Sequence, residues 1–598
     1  MKSNLKQRVL LCLLGCLALN AWATAKSEKL TILGTSDVHG RIYAYDYAQD
    51  EVDNDAGYAK LATLIKQEKL NDPNALLMDM GDTVQDNSAE LFNDLPVHPM
   101  IEAINTIGFD VWTLGNHEFN FGMSFLNRNI AAFNGAVLSA NIYKKGGKER
   151  FVEGYHIFDI NGVRVAVIGM TPPHVPIWEA STPSHFAGLE FTGVINETGK
   201  AIKELEGKYD ILVGAYHIGP EGEHGYKGIE AVAEAYPEFD VIFGGHAHTQ
   251  YQNEVNGVKL IEPGKYGWAL AKAEIEFNRN DGKINVVSVS TQNVETAKVI
   301  EDKDILNQFS TIHHDSIADA NIVIGEVMED FVKRVDYITG ESIVTTMPTC
   351  QVEDSALIDL INEVQLYFTK ADISSAAAFR KDMNLTKGEF KKKNLADIYK
   401  FPNTLVGVKI TGENLKKYME WSVSYYNTYK PGDVTISFDE NIRAYNYDMF
   451  AGIDYEIDIS KTPGNRIVNA KIKGRPIKDK KIYKLAVNNY RMGTLINLGL
   501  IEEKDKYYDA YDKYQDNGRI RDLIGSYVND KYNGKLSPKV DNNWKIIGAP
   551  DLDHPRRGEV YSLLKSGALK IPSTPNGRTI NIKSLNIYDL INEGILPK

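Results

Sequence analysis

The sequence predicts an α/β protein whose first half is built on mostly parallel strands and whose second half is a separate α+β unit. Five short apolar runs, Lys29 to Leu33, Ala75 to Met80, Val111 to Leu114, Ile211 to Val213 and Val241 to Phe243, read as buried strands. Helix-like stretches lie between several of them, as parallel connections require. Beyond residue 321 the pattern turns to mixed strands and helices. With 598 residues, the chain is too long for one ordinary domain.

Taken in order, Lys2, Lys6 and Arg8 precede an apolar core from Val9 to Leu19 and the small-x-small sequence Ala23-Thr24-Ala25. This reads as a secretory signal over residues 1–25, cleaved after Ala25. The core is shorter than the ~20 residues that cross a bilayer, and Asn20 interrupts its end. Leu13-Leu14-Gly15-Cys16 offers a lipoprotein alternative, but the apolar run continues through Leu17-Ala18-Leu19. Removal of Cys12 and Cys16 leaves only Cys350, so no internal disulfide is expected, and a periplasmic or secreted protein fits. No later run is long enough to span a membrane.

Residues 26–298 are expected to form the first unit, closing with strand-like Ala271 to Phe277 and Ile284 to Thr291. Residues 299–320 read as an amphipathic linker helix carrying Ile305, Leu306, Phe309 and Ile312. The second unit spans 321–548, with a helix from Asn414 to Tyr425 after Thr411-Gly412 and a strand pair within Asn465 to Ile477. Residues 549–598 form an extension to which the sequence assigns no role.

Each of the five apolar runs is followed by metal-type ligands: Asp37-Val38-His39, Gly81-Asp82, Gly115-Asn116-His117-Glu118, His217, and Gly244-Gly245-His246-Ala247-His248. Alone, an Asp-x-His or Gly-Asn-His is usually a turn. Five such blocks at the carboxyl ends of parallel strands would instead converge on one site. His246 and His248 alternate as on an extended segment, which would bring both rings to one face. Asp37, His39, Asp82, Asn116, His217, His246 and His248 exceed what one tetrahedral ion takes and suit two ions sharing a carboxylate. Nitrogen and oxygen donors without thiolate point to Mn²⁺, Zn²⁺, Fe or Co. Two such ions about 3.5–4 Å apart can hold a phosphoryl oxygen, activate water and steady the leaving oxygen, which makes phosphate ester hydrolysis the natural reaction. His98, His156, His174, His185, His224, His313, His314 and His554 belong to none of these blocks and read as surface or ordinarily hydrogen-bonded residues.

The blocks SDVHG, MGDTVQ, LGNHEFNFG, AYHIG and FGGHAH resemble the signature of the calcineurin-like metallophosphoesterases. YKFPNTLVGVKITGENLKKYMEW, YNYDMFAGIDYEID, LAVNNYRM and DNNWKI resemble the nucleotide-binding domain of the periplasmic 5′-nucleotidase family, most closely its 2′,3′-cyclic-nucleotide 2′-phosphodiesterase/3′-nucleotidase branch. The resemblance implies a four-layered αββα metallophosphoesterase domain followed by an α+β 5′-nucleotidase-type domain. It also implies one ion on Asp37, His39, Asp82 and His248 and another on Asp82, Asn116, His217 and His246. His117 would face the phosphate as a catalytic group. Tyr447 and Tyr490 match loops whose rings stack on the base, with Tyr445 and Phe450 contesting the first position. Arg380 would be a phosphate ligand. Asn120, where 5′-nucleotidases commonly carry Asp, and Ser374-Ser375-Ala376-Ala377-Ala378-Phe379-Arg380, which replaces their glycine-rich stretch, favour the cyclic-nucleotide branch.

A net charge of −13 argues against tracking a polynucleotide backbone and leaves small-molecule nucleotides as the expected partners. The alternatives are a 5′-nucleotidase or UDP-sugar hydrolase and, from another class, a nucleotide-binding surface protein that has lost catalysis. The latter would be marked by a missing metal ligand, and none is missing.

Overall fold

The computed structural model describes residues 27–598 apart from 180, 181, 224, 281, 402, 515–517 and 576. The expected signal segment, with Cys12 and Cys16, and His224 therefore lie outside the described residues. Two compact units emerge, dividing between Ile312 and His313, with short stretches near 46–51 and 176–183 grouped with the second.

The first unit contains β1 (Glu28–Thr35), β2 (Leu76–Asp79), β3 (Val111–Thr113), β4 (Ala136–Leu138), β5 (Tyr155–Ile160), β6 (Val163–Met170), β7 (Ile211–Tyr216), β8 (Val241–Phe243), β9 (Gln250–Val255), β10 (Val258–Pro263), β11 (Ala269–Asn280) and β12 (Lys283–Glu295). They form two six-stranded sheets, ordered β12-β11-β1-β2-β3-β4 and β9-β10-β8-β7-β6-β5. Neighbours from β1 to β4 are parallel, as are β10-β8-β7-β6, and each sheet gains antiparallel strands at its margins. The five expected strands are all present, three in one sheet and two in the other.

Their largely apolar character follows from burial on both faces, with polar exceptions such as Thr31, Asp79 and Thr113. Successive side chains point to opposite faces, so Leu30, Ile32, Met78, Val213 and Phe243 share a core between the sheets. Their neighbours Leu33 and Leu77 pack outward beneath the helices Tyr58–Asn71, Pro99–Ile107 and Gly122–Ala132. On the far side Leu212 and Ile242 pack beneath Val194–Leu205 and Ile229–Ala235. The layers are thus helix, sheet, sheet, helix.

The expected linker helix is two helices, Lys303–Gln308 and Ser310–Ala320. Ile305 and Phe309 are in the first unit's core, so the front of this segment packs rather than spans. The second unit holds a five-stranded sheet ordered Asp448–Ala451, Ile373–Ala377, Ile482–Asn488, Leu405–Thr411 and Lys506–Asp509, with smaller sheets of four and three strands. Thr411 caps the helix Gly412–Ser422 by accepting from Asn414 N at 3.3 Å, and a 3₁₀ turn continues to Tyr425. Ile467–Ile472 and Arg475–Pro476 form the expected strand pair. The 549–598 extension is built into this unit: Val560, Leu564, Leu585, Ile587, Leu590 and Leu596 join its core. Buried Asn581 donates to the Ile436 carbonyl and Phe438 N donates to the Asn581 carbonyl at 2.9 Å.

Candidate metal centre

Seven expected ligands lie in loops after β1, β2, β3, β7 and β8. The loops approach closely because glycines remove side chains between them. A Cβ on Gly115 would lie 2.4 Å from Asp82 Oδ1, and one on Gly245 would lie 2.1 Å from Ser36 Oγ. Asp37 N donates to the Gly81 carbonyl at 2.9 Å and His39 N to the Asp82 carbonyl at 3.0 Å, tying the first two ligand loops together. Asp37, His39, Asp82, His246 and His248 all adopt left-handed backbone conformations, φ 55°, 48°, 54°, 73° and 60°. Such conformations cost energy in non-glycine residues and persist where the surroundings enforce them.

Donor atoms of Asp37, His39, Asp82 and His248 form one cluster, and those of Asp82, His217 and His246 form a second. Asp82 belongs to both. His248 Nε2 lies 3.1 Å from Asp37 Oδ1 and 3.0 Å from His39 Nε2, while His217 Nε2 lies 3.0 Å from Asp82 Oδ2. His246 and His248 thus face different clusters, contrary to the extended segment expected. Their left-handed backbones break the period-two alternation.

The donor set suits cations. Asn116 Oδ1 is buried without a hydrogen-bond partner among the described residues, and Asp37 Oδ1 and His217 Nε2, buried beside His248 and Asp82, do not reach good hydrogen-bond geometry, an arrangement that a cation would satisfy. Burial favours protonating Asp37 and Asp82, yet the surrounding imidazoles outweigh it and hold both below the usual carboxylate range. Burial opposes charge on His217, but Asp82 and Asp37 push it up to about 10. Positive charge is what this field stabilises.

Two carboxylates to which the sequence assigned no individual role, Asp79 and Glu118, form the scaffold. Asp79 is fully buried and accepts from Thr35 Oγ1 (2.6 Å), Tyr58 OH (2.8 Å), Thr83 Oγ1 (2.8 Å) and Gly81 N (2.9 Å). Glu118 accepts from Asp82 N (3.0 Å), Thr83 N (2.8 Å) and Gly115 N (2.7 Å), which joins the second and third ligand loops. Burial and neighbouring Asp82 push Glu118 up to about 7. His217 Nδ1 donates to the Met80 carbonyl at 2.7 Å, leaving Nε2 toward Asp82.

His117 stands at the rim with its side chain about one third exposed and Nε2 3.9 Å from Asp82 Oδ2. Its Nδ1 pairs with Asn120 Oδ1 at 2.5 Å, so the asparagine orients the ring through a neutral amide. Burial works against the imidazolium, but Asp82 and Asn120 outweigh it and raise the pKa above the ordinary value. Buried His174 was among the histidines assigned no role. It lies beside the second cluster, with Nε2 3.3 Å from Glu223 Oε1.

The second unit alters two substrate-binding expectations. Tyr447 is fully buried, stacked on Tyr425 at 5.8 Å and edge-on to Tyr426 at 5.0 Å. It offers no free face to a base because the strand beginning at Asp448 carries it into the core. Of the residues contesting that position, Tyr445 is the one with an accessible ring, Phe450 being buried. It is half-buried and meets Tyr490 edge to face at 6.1 Å. Buried Arg491, which sequence reasoning missed, donates to the Tyr445 carbonyl at 2.7 Å and pairs with Asp448 at 2.5 Å, fixing this loop. Arg380 is engaged by Asp382 at 3.0 and 2.9 Å and Asp397 at 3.1 Å. A phosphate there would meet two carboxylates, so Arg380 is not a free anion ligand in this conformation.

Residues 30–250 match the calcineurin-like phosphoesterase family, and residues 325–497 match the 5′-nucleotidase C-terminal domain. The chain belongs to the metal-dependent phosphoesterases built from these two domains. It is 26% identical to the 2′,3′-cyclic-nucleotide 2′-phosphodiesterase/3′-nucleotidase of Haemophilus influenzae over 89% of this chain and 90% of that one. It is 31% identical to a 5′-nucleotidase of Vibrio cholerae over 50% of this chain and 58% of the relative. It is also 24% identical, over 88% of its own length, to the trifunctional nucleotide phosphoesterase protein YfkN of Bacillus subtilis, of which it spans 39%. Among solved structures, a 5′-nucleotidase precursor from Thermus thermophilus shares the fold with TM-score 0.60 and 19% identity, over 88% of this chain and 100% of that one. A Staphylococcus aureus protein solved with alpha-ketoglutarate does so with TM-score 0.73 and 22% identity, over 87% and 100%.

Proposed function

We propose that this chain hydrolyses nucleotide phosphate esters, opening 2′,3′-cyclic nucleotides and dephosphorylating 3′-nucleotides, as an exported dinuclear-metal enzyme. The observation that carries the reading is the pair of ligand clusters sharing Asp82, with His117 on their rim. When bound, two divalent ions would neutralise the phosphate and activate water. Asp37, His39, Asp82 and His248 would hold one, and Asp82, Asn116, His217 and His246 the other. His117 Nε2 faces the same centre and would donate to the developing charge or to the leaving oxygen, with Asn120 setting the ring's direction. Tyr445 and Tyr490 would recognise the base by stacking, once one ring turns from their edge-to-face contact.

The cyclic-nucleotide reading draws on the Haemophilus relative, which aligns along nearly its whole length, and on Asn120. The Vibrio relative supports a second reading, a 5′-nucleotidase. Hydrolysis by the metal-reconstituted protein of 2′,3′-cyclic, 3′ and 5′ nucleotides, UDP-glucose and bis(4-nitrophenyl) phosphate separates them. Higher kcat/KM for 5′-nucleotides than for the cyclic and 3′ substrates would overturn the preferred reading. Among the described residues, no helix is long and apolar enough to cross a membrane.

A further inference from the structure

We propose that Glu223 is a positioning residue for the metal centre: its carboxylate fixes the ring of His246, and His174 holds that carboxylate in place. The inference rests on the reading above that His246 ligates the ion shared by Asp82, Asn116 and His217.

Glu223 lies in the loop between β7 and the helix Ile229–Ala235, outside every motif recognised in the sequence. Its Oε1 is 2.6 Å from His246 Nε2 and 3.3 Å from His174 Nε2. A neutral imidazole has one N–H and one lone pair. If Nε2 donates to Glu223, the lone pair resides on Nδ1, which becomes the nitrogen available to the ion. His217 has the opposite tautomer, because its Nδ1 donates to the Met80 carbonyl and leaves Nε2 for the centre. Two ligands of one ion are therefore set in opposite orientations by the acceptors behind them.

These acceptors differ in kind. Met80 offers a neutral carbonyl on the backbone immediately after β2, and His39 Nδ1 lies 3.3 Å from the neutral amide oxygen of Gln85. Glu223 is a carboxylate on a loop, with its side chain about half exposed. A charged acceptor makes the bound imidazole a stronger donor to a cation. His174 is buried, its ring centre lies 5.9 Å from that of His246, and Tyr226 stacks on it at 5.8 Å. His174 thereby gives the loop carboxylate a fixed point. The His246 ligand is accordingly supported by a side chain that solvent reaches, whereas the His217 ligand is supported by buried backbone.

The test is titration of metal-stripped full-length protein with Mn²⁺, read by calorimetry and by electron paramagnetic resonance. Glu223→Ala is expected to weaken one of two Mn²⁺ sites by ~10–100-fold, the range for removing such an orienting partner, and to leave the other unchanged. The coupled two-ion signal should give way to that of isolated Mn²⁺. Glu223→Gln should restore most of the affinity, since its amide oxygen still accepts from Nε2–H, and His174→Ala should cause a smaller loss. Circular dichroism of each variant checks the fold. Two sites at wild-type affinity in Glu223→Ala overturn the proposal. So does a third Mn²⁺ in the wild type that disappears in Glu223→Ala while two remain, because Glu223 would then be a ligand itself. Wild-type protein that takes up fewer than two ions overturns the dinuclear reading instead.

Discussion

Replacing Tyr445, Tyr490 and Tyr447 one at a time separates a base-binding surface from a buried scaffold. Tyr447 is fully buried against Tyr425, Tyr426 and Trp544, so Tyr447→Ala opens a cavity the size of a ring. Aromatic-to-alanine changes in cores cost about 3–5 kcal/mol. At about 2–4 °C per kcal/mol for a domain of this order, the second unit should melt roughly 6–20 °C lower. KM of the remaining folded enzyme should not change. Tyr445 and Tyr490 are only half-buried, so their alanine variants should keep the melting temperature. Loss of base stacking, about 1–3 kcal/mol, should raise KM for nucleotides by roughly 5- to 150-fold. Hydrolysis of bis(4-nitrophenyl) phosphate, which lacks a base, should persist in both. Calorimetric melts and parallel kinetics on the two substrates decide the matter. A raised nucleotide KM in Tyr447→Ala with an unmoved melt, or an unchanged KM in the other two, would refute the reassignment.

Asp82→Ala should lose both ions and nearly all hydrolysis; elemental analysis finding two ions per chain would remove the bridge. His117→Ala should keep both ions while kcat falls by ~10²–10⁴, and loss of metal would make His117 a ligand instead. Burial raises Asp354 to about 6 and Asp359 to about 8, helped by neighbouring Asp541 and Asp354 respectively. Aspartates in the unfolded chain titrate near about 3.9, so between about pH 4 and 8 the folded chain holds protons that the unfolded chain has lost, and stability falls as pH rises. Urea melts in EDTA should show that fall, and Asp359→Asn should flatten it; an equal slope in the variant would exclude Asp359 as its source. Ending the chain before Ala549 removes Val560, Leu564, Leu585, Ile587, Leu590 and Leu596 from the core. At about 1.5–3 kcal/mol per buried side chain against a typical domain stability of about 5–15 kcal/mol, the second unit should fail to fold. An unchanged melt of the truncated chain would contradict this.

The sequence by itself determined the strands that bear the candidate ligands, because a strand buried on both faces is mostly apolar and the residue types after it are chemically distinctive. It also placed a helix after Thr411-Gly412, although the helix begins two residues earlier than expected, at Gly412, where the Thr411 hydroxyl accepts from Asn414 N. These signals depend on near neighbours along the chain. The split of five strands between two sheets, and of His246 and His248 between two clusters, depends on distant partners and on left-handed backbone that no alternation rule anticipates. Tertiary packing likewise decided that Tyr447 faces the core while Tyr445, two residues earlier, remains accessible, since the periodicity around them does not say which face is covered. Glu223 meets His246 across 23 positions, and Asn581 meets Ile436 across 145. Only the closed fold brings such pairs within bonding distance, and those contacts decide which nitrogen of His246 meets Glu223 and whether a terminal extension is part of the core.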